Sequence, residues 1–134
     1  MDAEQQNVAR ACMAAAYDGS LDFPSIVGAL AKAGFEGYTV DYRRAAHIYY
    51  LPDGDSIEIT TPQSSGAVAA RFDAAAVKAA IGEAQANAPG YSYRGFCEKV
   101  KAAGCAGYIV SFLGRRVLYF GRAAETHVEF FPDD

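Results

Sequence analysis

The segment DYRRAAH at positions 41–47 puts a carboxylate, a phenol, two guanidinium groups and an imidazole within seven residues. An imidazole titrates near neutral pH, so His47 suits a general acid or base, with Asp41 and Arg43 holding a polar substrate. Alternation along an extended segment argues against that assembly. It turns Tyr42 and His47 to one face and Asp41 to the other. The simpler reading of the segment is a solvated hairpin tip with a histidine packed among tyrosines. A second cluster is the arginine pair Arg43-Arg44 with its counterpart Arg115-Arg116. Four guanidinium groups would form an anion site if the two segments met.

Other chemistries lack their parts. The chain has no G-x-G-x-x-G after a strand, no P-loop lysine and no G-x-S-x-G elbow. Neither His47 nor His127 stands in H-x-x-x-H or H-E-x-x-H spacing, and PDGDS at 52–56 is short of the ligands of a calcium loop. No metal site and no cofactor is expected. Cys12, Cys97 and Cys105 include no C-x-x-C pair and occupy apolar slots, so they read as buried structural thiols in a reducing compartment, the cytoplasm. With Lys+Arg 12 against Asp+Glu 16, the net charge of −4 draws no polyanion, which argues against nucleic acid. The chain also lacks a basic, apolar leader and an 18-residue apolar run, so no membrane partner is expected.

These side chains must be held by elements that the chain writes twice. AGFEGYTV at 33–40 returns as AGCAGYIV at 103–110, a spacing of 70, and the match extends over FPSIVGALAKAGFEGYTVDY and YRGFCEKVKAAGCAGYIVSF. Ile26, Val27, Leu30 and Ala33 fall on one helical face, and Phe96, Cys97, Val100 and Ala103 repeat it. Asp22 and Ser92 suit the N-caps of these helices, and Gly34 and Gly104 end them. Gly37 and Gly107 then open strands, where the period changes to two, with Tyr38, Val40 and Tyr42 on one face and Tyr108, Val110 and Phe112 on its equivalent. HIYYL at 47–51 and VLYFG at 117–121 supply second strands. Turns are expected at Arg44-Ala45 and Gly114-Arg115. SIEI at 56–59 matches HVEF at 127–130 once one extra residue is allowed, giving third strands. Val8, Ala11, Cys12 and Ala15, and then Val77, Ala80, Ile81 and Ala84, mark a leading helix for each unit, preceded by Asp2 and Asp73.

The expected fold is therefore α+β: an internally duplicated ααβββ unit with pseudo-two-fold symmetry, its antiparallel sheet or sheets packed against helices. One domain spans 1–134, with repeat one at 1–60, repeat two at 72–131 and a linker at 61–71. A unit of about 60 residues buries little surface alone, so the two should share a core. Both faces of the strands are apolar: helices can cover one, and the other needs the partner repeat, a second subunit or a ligand.

The repeat serves as an internal control, since residues the fold itself needs should recur. His47 faces Val117, and Asp41, Tyr42 and Arg43 face Ser111, Phe112 and Leu113. One hairpin is polar and the other greasy. With Tyr 9 and Trp 0, the aromatic set favours rings that pack while a hydroxyl finds a partner. The candidate ligand-binding residues are Tyr38, Asp41, Tyr42, Arg43, His47, Tyr49, Tyr108, Arg115 and Tyr119.

In AGFEGYTVDYRRAAHIYYLPDG and AGCAGYIVSFLGRRVLYF, where A-G-x-x-G-Y leads into an aromatic hairpin, the chain resembles the YbcV-like family of small bacterial proteins of unknown function. Some of its members are labelled phage envelope protein. The resemblance covers most of the chain and brings no catalytic residues. The expected function is a non-enzymatic module in which a tyrosine-rich sheet binds a small molecule or a protein partner. The alternatives are a small enzyme using His47, Asp41 and Arg43, and a homodimer joined through a sheet face.

Overall fold

The computed structural model describes residues 1–62 and 66–132. Each half of the chain contributes two helices and then three strands. The first half has α1 (Ala3–Asp18), α2 (Phe23–Lys32), β1 (Gly37–Asp41), β2 (Ala46–Tyr50) and β3 (Ser56–Thr60). The second has α3 (Ala74–Gln85), α4 (Tyr93–Ala102), β4 (Cys105–Ser111), β5 (Arg116–Gly121) and β6 (Thr126–Phe130). All four helices start on a side chain that accepts from a backbone N–H three residues on: Asp2, Asp22, Asp73 and Ser92. Such caps are worth about 1 kcal/mol each.

The strands form one antiparallel sheet in the order β3-β2-β1-β4-β5-β6. The halves join through β1 and β4, whose register sets Thr39 opposite Ile109, the residue 70 positions later. Gly37 and Gly107 permit this junction. A Cβ on Gly37 would lie 2.4 Å from the Val110 carbonyl oxygen, and one on Gly107 would lie 2.3 Å from that of Val40. Only glycine allows so close an approach.

The helices cover one face of the sheet. Beneath them lie Tyr38, Val40, Tyr49, Ile59, Tyr108, Val110, Val117 and Tyr119, packed with Leu30 of α2 and Val100 of α4, both fully buried. Each such aliphatic contributes about 1.5–3 kcal/mol. Nothing among the described residues covers the centre of the opposite face, where Ile109 is 44% exposed.

Three expectations are corrected. The hairpin loops have four residues, 42–45 and 112–115, because β1 and β2 pair as Asp41↔Ala46, and β4 and β5 as Ser111↔Arg116. The loops close on side chains: Asp41 Oδ1 accepts from the N–H groups of Arg43 and Arg44, and Ser111 Oγ accepts from Gly114. The register moves by two residues, so every side chain keeps its face. No extra residue separates the third strands, since Ala46↔Thr60 and Arg116↔Phe130 keep the spacing of 70 and make His127 the counterpart of Ile57. Gly107 also does not open its strand. Pairing starts at Cys105, with an irregularity between Cys105 and Gly107.

Candidate functional site

The nine candidate binding residues do not converge. Tyr38, Tyr49, Tyr108 and Tyr119 are core residues under the helices, and Asp41 is held by its own loop. Arg43 and Arg115 lie at opposite ends of the sheet. The Tyr42 N–H donates to Ala106 at one end of the β1–β4 pair, and the Phe112 N–H donates to Glu36 at the other. Five residues of strand separate the tips, roughly 17 Å. Four arginines therefore cannot meet within one chain. Arg44 instead pairs with Glu58, Arg115 lies over the Phe131 ring, and Arg116 lies over Phe130.

Two sets of residues do come together. The first is a buried chain of polar groups. His47 is 3% exposed, with Nδ1 2.9 Å from the Tyr49 hydroxyl and Nε2 3.4 Å from the Tyr93 hydroxyl, which bonds in turn to Tyr108 at 2.5 Å. Burial lowers the His47 pKa to about 4, so the ring is neutral at physiological pH. Burial likewise lifts Tyr93 and Tyr108 well above the ordinary tyrosine range. The imidazole is a hydrogen-bonded core residue here, shared between β2 of the first half and α4 of the second.

The second set lines a pocket of about 180 Å³ beneath the first hairpin tip, built from Tyr17, Tyr42, Arg43, Thr61, Cys97 and Lys101 with small residues between them. Lys101 is 6% exposed. Tyr93, Cys97 and Lys101 recur every four residues and so form one stripe of α4. The Cys97 thiol sits within the electrostatic reach of the hydroxyls of Tyr42, Tyr93 and Tyr17; desolvation raises its pKa, and these hydroxyls and Lys101 oppose the rise. The Tyr42 hydroxyl is buried and has no hydrogen-bond partner of acceptable geometry among the described residues, although it feels the thiol beside it. Desolvation pushes Tyr17, at the rim, up to about 12. A phenol, a thiol and two basic side chains in a described lining that includes no carboxylate can hydrogen-bond an anionic group.

Sequence reasoning missed Tyr17, Tyr93, Cys97 and Lys101. The repeat carried the signal for three of them. The α4 stripe Tyr93-Cys97-Lys101 stands where α2 has Phe23-Val27-Ala31, an apolar stripe turned polar along its whole length. Reading Cys97 alone in a valine slot hid its two neighbours. It is buried, as are Cys12 and Cys105, and all three are free thiols.

The profile of a family described as "Protein of unknown function (DUF1398)" matches residues 12–129. The chain belongs to that family. The match spans both halves and the pocket lining but assigns no activity. No curated protein matches the chain. No helix among the described residues is long and apolar enough to cross a membrane.

Proposed function

We propose that this DUF1398 protein binds a small anionic molecule in the pocket beneath the first hairpin, and that its halves are copies of one ααβββ unit whose two hairpins have diverged. The observation that carries this reading is the correlated difference between equivalent positions. Tyr42, Arg43, Thr61, Cys97 and Lys101 line the pocket, and the residues 70 positions away are Phe112, Leu113, Phe131, Val27 and Ala31. A fold that accepts apolar side chains at these positions beside the second hairpin has no structural need for a phenol, a thiol and cations beside the first. The Tyr42 hydroxyl, buried with no partner among the described residues, adds to this, because a buried donor left unbonded costs about 1–3 kcal/mol until something bonds it. The two A-G-x-x-G-Y segments, each leading into an aromatic hairpin, also support kinship with the YbcV-like proteins. The volume suits a ligand of a few heavy atoms, since a liquid water takes about 30 Å³.

The test is titration calorimetry with a panel of small carboxylates and inorganic phosphate, on the wild-type chain and on Tyr42→Phe with Arg43→Leu. Those replacements are the residues of the second half, so the fold should accept them. Saturable binding by the wild type and none by the double variant is expected. Equal binding by both, or no binding of any anion, would sink the reading.

A further inference from the structure

The open face of the sheet carries a row that crosses all six strands and is apolar on four of them, β2, β4, β5 and β6. Following the register from edge to edge, one row reads Glu58, Ile48, Thr39, Ile109, Leu118, Val128. Tyr50, Phe120 and Phe130 point from the same face on either side of that row. Exposure is high at the middle and at the margin, with Ile109 at 44% and Phe130 at 63%. Monomeric proteins rarely leave so large a contiguous apolar patch in water.

We infer that this face is covered by the same face of a second copy of the chain, forming a two-layer sheet sandwich with the helices outside. Area and pattern both favour a second copy as the occupant. Six strands about 4.8 Å apart and five residues long give a footprint of roughly 480 Å². That footprint is somewhat more than half of the roughly 800 Å² that each partner buries in a stable interface, which is enough for the core of a two-fold contact. The pattern is also nearly self-similar about its centre: Ile48 and Leu118 flank the Thr39 and Ile109 pair, and Tyr50 and Phe120 lie beyond at equivalent positions. A self-complementary patch is what an isologous two-fold contact requires. No charge stands in the central row between Ile48 and Val128, and Asp41, two residues along β1 from Thr39 on the same face, is engaged by the N–H groups of its own loop. Glu58, at the end of the row, is neutralised by Arg44 of its own chain, and Arg116 lies against Phe130. Two such sheets stack about 10 Å apart and interdigitate their side chains.

Sedimentation equilibrium of the full chain over a wide concentration range tests this directly. The wild type should reach twice its 14.2 kDa. Ile109→Glu, which buries two unpaired carboxylates per dimer, should raise the dimer dissociation constant by about 100-fold or more. Thr39→Lys reads the same centre should the first variant fail to fold by circular dichroism. Leu113→Ser, at a hairpin tip off this face, should leave the association unchanged. A wild type that is monomeric at every concentration overturns the inference. So does a dimer that folded central variants leave intact, or one that Leu113→Ser breaks.

Discussion

At the first hairpin, Tyr42 and Arg43 stand over a cavity, and α4 presents Tyr93, Cys97 and Lys101 to that end of the sheet. The equivalent positions at the second hairpin are mostly hydrocarbon: Phe112 and Leu113, Val27 and Ala31 of α2, and the ring of Phe23 edge-on to Phe131 at 5.8 Å, with Arg115 in place of Ala45 and lying over Phe131. The two ends share backbone, loop length and left-handed residues, Ala45 and Arg115. Their contrast lies in side chains alone. Difference at constant backbone separates what the fold needs from what was added to it, and each prediction below perturbs one matched pair.

The largest effect is expected where the halves agree in sequence and differ in surroundings. Gly34 and Gly104 both hold a positive φ at the end of a helix, where any side chain is strained. A Cβ on Gly34 would meet only the flexible Gln5 side chain at 3.3 Å, whereas one on Gly104 would lie 2.1 Å from the Arg71 carbonyl oxygen. Gly34→Ala should cost about 1–2 kcal/mol, and Gly104→Ala more than about 3 kcal/mol, because backbone must move. Urea unfolding of both variants checks the order. Equal losses would mean that the linker yields.

Next comes His47 against Val117. The folded pKa of His47 is depressed to about 4, below the ordinary value of 6.5. The unfolded chain therefore binds a proton that the folded one refuses. Stability contributed by the neutral ring is present above pH 6.5 and is lost as pH falls from there to 4, by up to about 3 kcal/mol. His47→Val, which copies the second half, should flatten the acid limb of a stability curve over that window. An unchanged slope would show that carboxylates alone set it.

Tyr42→Phe should act in the opposite direction. It removes a buried hydroxyl that has no partner among the described residues, so the ligand-free protein should gain about 1 kcal/mol while anion binding falls. A loss of stability would show that the hydroxyl is bonded in solution.

Much of the fold was legible because period and spacing are local signals. Alternation gave the faces of the two hairpins correctly even where the turn was displaced by two residues, since parity survives such a shift, whereas the one-residue offset expected for the third strands would have reversed them. The four N-caps and the helix-ending glycines were readable for the same reason. The arrangement of the hairpin tips was not. It depends on β1 meeting β4 antiparallel, a pairing between segments 70 residues apart that no local pattern encodes. The pocket was half legible: Tyr42 and Arg43 stood out in one hairpin, but Lys101 and Cys97 become their neighbours only through packing of α4 beside that hairpin.

The smallest expected effect concerns the loops themselves. Asp41 and Ser111 occupy the same position, and each closes its four-residue loop by accepting backbone N–H groups, two at Asp41 and one at Ser111. The carboxylate thus repeats a task that a hydroxyl performs in the other half, which removes it from the list of groups free for chemistry. Each lost loop hydrogen bond at an exposed site costs about 0.5–1 kcal/mol, because water replaces the acceptor. Asp41→Ala should therefore destabilise more than Ser111→Ala, and Asp41→Ser should recover most of the difference. Thermal unfolding of the three variants measures this. Anion binding supplies the sharper readout: Asp41→Ser should leave it intact, because a capping side chain on the open face does not reach the cavity under the opposite one. A ligand lost with Asp41→Ser at unchanged stability would put the carboxylate back into the site and reverse the division between fold and function drawn from the two hairpins.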